Sequence, residues 1–298
     1  MNPKVSIIIL NWNGWKNLTD TCLKSLEKLT YPNYNVIVVD NGSTDGSQDL
    51  IKEKFPYVTL IENGKNLGFA RGMNVGIKHA LKNEVDYVFV LNNDMAIISR
   101  NLLEELVKTA NSDKKIGIVV PKVMDYGDPS KVQFNGKIKH LSGFTMEVSG
   151  CGFLAKKEVL EDVGLYDPIF FMYYEGLDLF FRVKKKGYRI VFVPSVKIKH
   201  KGFGTSNQFS FHHQYYHIRN NFLFLKRYYP KKMLFIVKGV SRNLLRSIRD
   251  CLRCYLNRNL KGLLSSIRGT IKGLLDGIIL VLNTKNFMEG EHEEYWHI

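Results

Sequence analysis

Three short apolar runs near the start of the chain each stop on an amide or a carboxylate, and that pattern most narrows what the chain can fold into. Val5 to Leu10 ends at Asn11, Val36 to Val39 ends at Asp40, and Tyr87 to Leu91 ends at Asn92, Asn93 and Asp94. Continuous apolar runs without polar alternation predict strands covered on both faces, as in a parallel sheet. Leu18, Cys22, Leu26 and Leu29 at helical spacing, closed by Tyr31-Pro32-Asn33, complete a β-α-β unit between the first two runs. Parallel strands point one way, so Asn11, Asp40 and Asp94 are expected along one edge, where open α/β sheets bind ligands.

Each tip also admits a plain structural reading. Asn92 to Asp94 is an Asn/Asp turn before a helix, with Ser99 as a further cap candidate. Asp40-Asn41-Gly-Ser-Thr-Asp45-Gly-Ser47 is rich in turn formers, which competes strongly at Asp45 and Ser47 and less at Asp40. Against this stands the chemistry of a crevice. A carboxylate at a strand tip can accept from a ribose hydroxyl or a base N–H, and one at Asp94 can hold a hard divalent cation against phosphates. After a short strand over Val58 to Ile61 comes Asn63-Gly-Lys-Asn66-Leu-Gly68-Phe-Ala-Arg71-Gly-Met-Asn74, which leads into a helix reaching about Leu81. Glycines let backbone N–H groups approach an anion at a helix start, and Arg71 adds a charge. The alternative is a capped turn with a surface arginine.

Charge separates the C-terminal third from the rest. Between residues 201 and 285, 16 Lys and Arg face two acids (Asp250 and Asp276), so this segment carries +14 of the chain's +15. Such a segment seeks phosphates, in nucleic acid or on an anionic membrane. Apolar residues at helical spacing, among them Leu244, Ile248, Leu252 and Leu256, alternate with Arg242, Arg246, Arg249, Arg253 and Arg258. That makes a basic amphipathic segment suited to a membrane interface, a packed bundle or a dimer contact. It carries no nucleic-acid-binding motif, so no nucleic-acid partner is expected. No stretch reaches the roughly 20 apolar residues that span a bilayer, and the N-terminus lacks signal-peptide features. Cys251 and Cys254 form a lone C-x-x-C without a second ligand pair, so reduced thiols in a cytoplasmic setting are expected.

Four motifs in order carry a resemblance: V-S-I-I-I-L-N-W-N-G, V-I-V-V-D-N-G-S-T-D-G-S, N-L-G-F-A-R-G-M-N and V-F-V-L-N-N-D. The chain resembles glycosyltransferase family 2, inverting nucleotide-sugar enzymes of the GT-A fold, and within it the rhamnosyltransferase-like branch, over residues 4 to about 230. The resemblance implies an α/β fold with a mostly parallel, Rossmann-like sheet flanked by helices, followed by the basic helical segment. It implies a donor-binding half (1–115), an acceptor-binding half (116–230) and the C-terminal segment (231–298). Asn11, Asn13, Asp40, Asn41, Asp45, Asn66, Gly68, Arg71, Asn74, Asn92 and Asn93 would line the donor site for a UDP- or dTDP-sugar. Asp94 would hold Mg²⁺ or Mn²⁺ on the diphosphate, and His200, after the strand pair Arg189–Val193 and Val196–His200, would contact metal or diphosphate. The family's paired aspartates are here reduced to Asp94, with Asn92 in the first place.

The acceptor side departs from the family pattern at one residue. Phe170-Phe-Met-Tyr-Tyr174-Glu175-Gly176-Leu177-Asp178 opens a short helix ending before Gly187, and two acids there are also what a helix dipole favours. The family places its general base at the position occupied by Gly176, which cannot accept a proton; either Glu175 or Asp178 takes that role, or the acceptor's proton leaves another way, or the chain is a poor catalyst. Gly150-Cys-Gly-Phe-Leu-Ala155 matches a dinucleotide fingerprint by letter only, lacking the surrounding β-α-β unit. His212, His213 and His217 have no acidic partner at metal-site spacing, and with Tyr215, Tyr216 and Arg219-Asn-Asn221 they resemble the family's helix under the acceptor site. The expected function is sugar transfer to a hydroxyl of a glycan or lipid-linked acceptor by a protein peripheral on the inner face of the cell membrane, with oligomers allowed. A catalytically weakened nucleotide-sugar-binding protein, a nucleotidyltransferase and a basic nucleic-acid-binding protein are the rivals.

Overall fold

The structure is a computed structural model that describes residues 2–128, 130–134, 138–139, 145–146, 150, 152–202, 210–229 and 233–282 (of 16, 17, 138, 139, 145, 146, 233–239, 281 and 282, the backbone only). The segment 203–209, which follows His200 in the chain, and the tail 283–298 lie outside the described residues.

Strand and helix alternate through the first half: β1 (Val5–Asn11), α1 (Asp20–Leu26), β2 (Tyr34–Asp40), α2 (Ser47–Lys54), β3 (Thr59–Glu62), α3 (Phe69–Lys82) and β4 (Tyr87–Asn92). β1 lies between β2 and β4, parallel to both, and β3 extends the parallel set beyond β2. The β-branched runs are buried on both faces, as their lack of alternation predicts. On α3, a Cβ at Gly76 would come within 2.5 Å of the Ile8 side chain and 2.8 Å of Val39, so only glycine lets this helix lie so close to β1 and β2. The register places Asn11 opposite Asp40 and Leu10 opposite Asn92, so the three tips end at one level.

The first helix starts differently from its spacing. Trp15–Thr19 forms a π-helical turn in which the Leu18 and Thr19 N–H groups both donate to the Gly14 carbonyl (3.2 and 3.0 Å), and α1 follows. The Thr19 hydroxyl, set by this turn, donates back to Asn11 Oδ1 (2.6 Å), a tip contact that regular helical periodicity does not predict.

The second half holds β5 (Met95–Ile97), α4 (Leu102–Asn111), β6 (Ile116–Asp125), β7 (Val132–Phe134), β8 (Ile138–Lys139), β9 (Thr145–Met146), β10 (Gly152–Lys156), α5 (Lys157–Val163), α6 (Glu175–Lys185), β11 (Arg189–His200), α7 (Phe211–Tyr228), α8 (Met233–Leu256) and α9 (Leu260–Leu282). The main sheet runs β3-β2-β1-β4-β10-β6-β11-β5, with β7 on β6. β10 is antiparallel to both β4 and β6, and β5 is antiparallel to β11, so the sheet is mixed beyond its parallel first half. One sheet therefore passes through both halves of the expected division at residue 115. The polar stretch Asp125 to Ser142 carries β7 and one strand of the β8–β9 pair. A register shift between Val193 and Lys197 accommodates Pro194 within β11, since proline cannot donate to the ladder. Beyond that shift His200 pairs with Met95, which brings the histidine beside Asp94.

Candidate active site

The tips of β1, β2 and β4 are tied together by side chains. Asn93 Nδ2 donates to Thr19 Oγ1 (3.3 Å), Thr19 donates to Asn11 Oδ1, and Asn11 Nδ2 donates to Asp40 Oδ2 (2.8 Å). Asp40 Oδ1 also accepts from the Ser43 N–H (2.9 Å) and Gln48 Nε2 (2.8 Å), and both Asp40 and Asn11 are wholly enclosed. These two residues, expected to touch the nucleoside, spend their side chains on shaping the edge instead, because a carboxylate buried this deeply needs several donors. What the edge offers to a ligand is its rim. Asn13 is exposed with φ +49°, its Oδ1 accepts from the Thr44 N–H (2.7 Å), and Trp12 beside it is 41% exposed. Asp45 accepts from the Trp15 N–H (3.2 Å) and from the backbone and hydroxyl of Ser47, the turn role that competed for it in sequence.

The loop that leads into α3 divides in the same way. Asn41 is buried, donating to Asn66 Oδ1 (2.9 Å) and the Gly68 carbonyl (3.2 Å) and accepting from Asn63 Nδ2 and the Leu67 N–H (both 3.1 Å). Asn66 Oδ1 accepts further from the Gly68 N–H (2.8 Å). Gly68 has φ +83°, and a Cβ there would lie 2.6 Å from the Phe171 carbonyl, so the loop is pressed onto the segment that precedes α6. Asn74 departs from its expected role. It donates to the Tyr166 carbonyl (2.7 Å) and accepts from the Tyr166 N–H (3.1 Å), pinning α3 to the second half rather than facing a ligand. Arg71 is exposed on the first turn of α3.

Asp94 contrasts with these satisfied groups. His200 Nε2 lies 3.2 Å from Asp94 Oδ2, while Asp94 Oδ1 and the neighbouring Asn92 Oδ1 are buried without a hydrogen-bond partner. Gln133 fixes the histidine tautomer. Its Nε2 donates to Asp125 Oδ2 (2.9 Å) and the His200 carbonyl (3.0 Å), so its Oε1, 2.7 Å from His200 Nδ1, must accept the ring proton. A neutral His200 then presents an Nε2 lone pair to a carboxylate oxygen, which is repulsive unless a proton or a cation lies between them. Imidazole nitrogen, carboxylate oxygen and amide oxygen suit Mg²⁺ or Mn²⁺ with the remaining positions left to phosphate oxygens and water. The protein groups alone are few: no set of three His, Cys, Asp or Glu side chains converges among the described residues. The Cys22 thiol under this tip is pushed up by burial and by the Asp94 charge, so it stays a thiol, 3.7 Å from the Asn92 carbonyl.

Glu175 opens α6 close to the end of β4. A Cβ at Gly176 would lie 3.6 Å from the Phe180 ring and 3.8 Å from Gly150 Cα, and Gly152 pairs with Leu91, one residue short of Asn92. The two residues before Glu175, Tyr173 and Tyr174, have φ of +63° and +73°, a conformation costing non-glycine residues of the order of 1–3 kcal/mol each. α7 holds them there. Asn220 Nδ2 donates to the Met172 and Tyr173 carbonyls (both 2.9 Å), Asn221 Nδ2 to the Tyr174 hydroxyl (2.8 Å), and Arg219 to the Ile169 carbonyl (2.9 Å). Glu175 Oε2 is buried without a partner, and burial pushes its carboxyl up to about 7 against the lowering effect of the backbone N–H groups of residues 175 and 176, with the Asp178 charge adding to the rise. No sequence signal marks two tyrosines for a left-handed backbone, so this device escaped the sequence reading, as did Gln133.

Asp178, the other candidate base, is fully buried and saturated. It accepts from Arg182 Nε (2.9 Å), Arg227 NH1 (2.9 Å) and the Tyr228 hydroxyl (2.6 Å), and Arg227 also pairs with Asp167 (2.7 Å). Arg182 further donates to the carbonyls of Val163, Gly164 and Leu165. This carboxylate anchors α6 to α7 and has no lone pair turned to a crevice. Asp178→Ala is expected to cost roughly 3–5 kcal/mol of stability, because the largely buried Arg182 loses its carboxylate and Arg227 keeps only Asp167. Urea denaturation checks this; wild-type stability with turnover lost would instead make Asp178 the base.

The three histidines on α7 do not assemble a metal site. His213 Nε2 lies 3.0 Å from an Arg246 nitrogen, a cation where a metal would need to be, and His217 stacks on Tyr173 at 4.2 Å.

Comparison with known proteins gives the family and the fold. The model of a family described as "Glycosyl transferase family 2" matches residues 6–173. An N-acetylglucosaminyl-diphospho-decaprenol L-rhamnosyltransferase of Mycobacterium tuberculosis is 26% identical over 242 residues, covering 68% of this chain and 78% of that protein. A poly-beta-1,6-N-acetyl-D-glucosamine synthase of Staphylococcus aureus is 27% identical over 205 residues, 64% of this chain; the chain spans only 48% of that relative's length. Among solved structures, a mannosyltransferase from Pyrobaculum calidifontis in complex with GDP-Man and Mn²⁺ superposes with TM-score 0.58 at 17% identity, covering 96% of this chain and 88% of that one. Residues 1–349 of S. aureus TarS give 0.60 at 16% identity, covering 94% and 81%. These two likenesses carry the fold, GT-A, and the family match, on the strand tips just described and over more than half of the chain, carries the membership: the chain belongs to glycosyl transferase family 2.

Proposed function

We propose that this glycosyltransferase moves a sugar, with inversion, from a nucleoside diphosphate (UDP or dTDP) to a hydroxyl of a glycan or lipid-linked acceptor, working as a peripheral protein at the cytoplasmic face of the membrane. The observation that carries the reading is the buried, partnerless Oδ1 of Asp94 at the tip of β4, with His200 Nε2 against its other oxygen. Asp94, with Asn92 and His200, would hold Mg²⁺ or Mn²⁺, which when bound neutralises charge developing on the leaving diphosphate. Arg71, at the start of α3, adds a cation for the same phosphates. Glu175, its carboxyl pushed up to about 7 by burial and its backbone preceded by the left-handed tyrosine pair, takes the proton of the acceptor hydroxyl in place of the acid missing at Gly176. Residues 1–115 serve the donor and 116–230 the acceptor. The lipid-linked acceptor in the name of the mycobacterial relative supports this class of substrate.

Gly176 favours one second reading, a nucleotide-sugar-binding protein of low turnover. Both are tested by one panel of UDP-, dTDP- and GDP-sugars with and without Mn²⁺. A donor at 100 times its Kd is expected to stabilise the protein by ~2.7 kcal/mol, with the sugar then released at inverted anomeric configuration on a hydroxyl acceptor. A metal-dependent rise in melting temperature without turnover leaves the second reading. No rise with any donor, or retention of configuration, sinks the first.

A further inference from the structure

The α8–α9 hairpin is built inside out for a protein in water. Its inward face is polar or small: Ser247 donates to Gln214 Oε1 (2.9 Å), Gln214 Nε2 donates to Asp250 (3.0 Å), and Tyr215 donates to Asp276 (2.7 Å), all between α7 and the hairpin. Gly269 and Gly273 lie so close to α7 that a Cβ would sit 2.5 Å from the Phe211 carbonyl and 2.8 Å from that of Tyr215. The outward face carries the large apolar side chains instead. Leu245, Leu252 and Leu256 on α8 are 66%, 56% and 76% exposed, and Leu264, Ile271 and Leu275 on α9 are 56%, 54% and 54% exposed. An apolar surface of this extent marks an interaction site.

Charge decides what covers it. Arg242, Arg249 and Arg253 recur along α8 at steps of seven and four residues, and Lys261, Arg268 and Lys272 repeat the same steps along α9. At 3.6 residues per turn each trio forms a stripe on one flank of its apolar face. All six are exposed, whereas the hairpin's two acids are turned inward: Asp250 is buried and Asp276 is bonded to Tyr215 and Lys272. A second copy laid on this face would bring cations against cations, and a nucleic acid would leave the leucines and isoleucines in water. No described helix is long and apolar enough to cross a bilayer.

We propose that the outer face of α8–α9 lies in the interfacial layer of an anionic lipid membrane, apolar side chains among the upper acyl chains and the two cationic stripes on the headgroups. The inference deepens the peripheral placement proposed above and is independent of the donor chemistry. It also fixes an orientation, because the α7 that the hairpin packs on holds the Glu175 loop through Arg219, Asn220 and Asn221. The membrane plane and Glu175 are thus set by one helix, and a hydroxyl on a lipid-linked acceptor can be presented at constant depth.

Vesicle flotation of the full chain tests the proposal. The protein is expected to float with phosphatidylglycerol-containing vesicles, more weakly at high salt, and poorly with pure phosphatidylcholine. Leu252→Asp with Ile271→Asp, and separately Arg249→Glu with Arg253→Glu, should each lower affinity by roughly tenfold or more. All four positions are exposed, so circular dichroism and melting temperature should match wild type, and a donor-induced melting shift should persist. Equal failure to bind both vesicle types overturns the proposal. So does a dimer by light scattering that the Leu252/Ile271 pair of substitutions converts to monomer without changing vesicle binding. Loss of the donor-induced shift in wild type would sink the donor assignment and leave the membrane result standing.

Discussion

Glu175→Gln is expected to lower kcat/KM by roughly 10²–10⁴-fold, the usual contribution of a positioned general base, while making the protein more stable at pH 8. The two effects have one cause. The folded carboxyl holds its proton up to about pH 7, whereas its unperturbed value is 4.5. Between those values the native state binds more protons than the unfolded state, so stability falls as pH rises through this window. Above it the wild type carries the full cost of an ionised, poorly solvated carboxylate, up to about 3 kcal/mol for a displacement of this size. Glutamine removes that cost and the base together. In the wild type, kcat/KM should rise about tenfold per pH unit below 7 and level off above it, and this dependence should vanish in the variant. A variant that keeps wild-type turnover, or one that is destabilised at pH 8, removes Glu175 from the mechanism. The left-handed tyrosines before it give the same message from the backbone, since strain of this kind persists only where the surroundings impose it.

Asp94→Ala should remove the response to metal. Stabilising charge on a departing diphosphate through a bound cation contributes several kcal/mol, so transfer in Mn²⁺ should fall by roughly 10³-fold or more. The donor-induced rise in melting temperature should become independent of Mn²⁺. Gln133→Leu should act in the same direction but more weakly, because it frees the His200 tautomer without deleting a ligand; loss of such an outer partner typically costs about 10–100-fold in metal affinity. Measuring Mn²⁺ activation curves for the three proteins orders them. Equal activation in wild type and Asp94→Ala would mean that the lone pairs at the tip of β4 serve another cation or a proton.

Much of this was legible in the sequence because it is local. Apolar runs without alternation named β1, β2 and β4, and the residue following each run named a strand tip; hydrogen-bonded register then makes those tips coincide. The four motifs named the family on the same stretch, and the same resemblance pointed to His200, which ends β11 opposite Met95. The division of labour among tip residues was not legible. Asn11, Asp40, Asn41 and Asn74 have the side chains of ligand-binding residues, yet partners as far as 29, 27 and 92 positions away along the chain help to consume them. Whether a polar group is spent or spare depends on what the fold brings to it, and composition holds no record of that.

The same reason separates Glu175 from Asp178. In sequence they are two acids at a helix start; in the fold, Arg227 and Tyr228 of α7 reach Asp178 and leave Glu175 Oε2 sealed without a donor. The basic amphipathic character of the last third was likewise plain from spacing, but not which face turns inward. The sequence alone determined the first four strands, the order of the tips, the family and the amphipathic periodicity, since each follows from neighbours within a few turns of chain. Only the tertiary structure decided which carboxylates keep an unsatisfied oxygen and which way the hairpin faces. Both depend on the desolvation and hydrogen bonding that distant segments impose on a side chain, and these exist only once the chain has closed on itself.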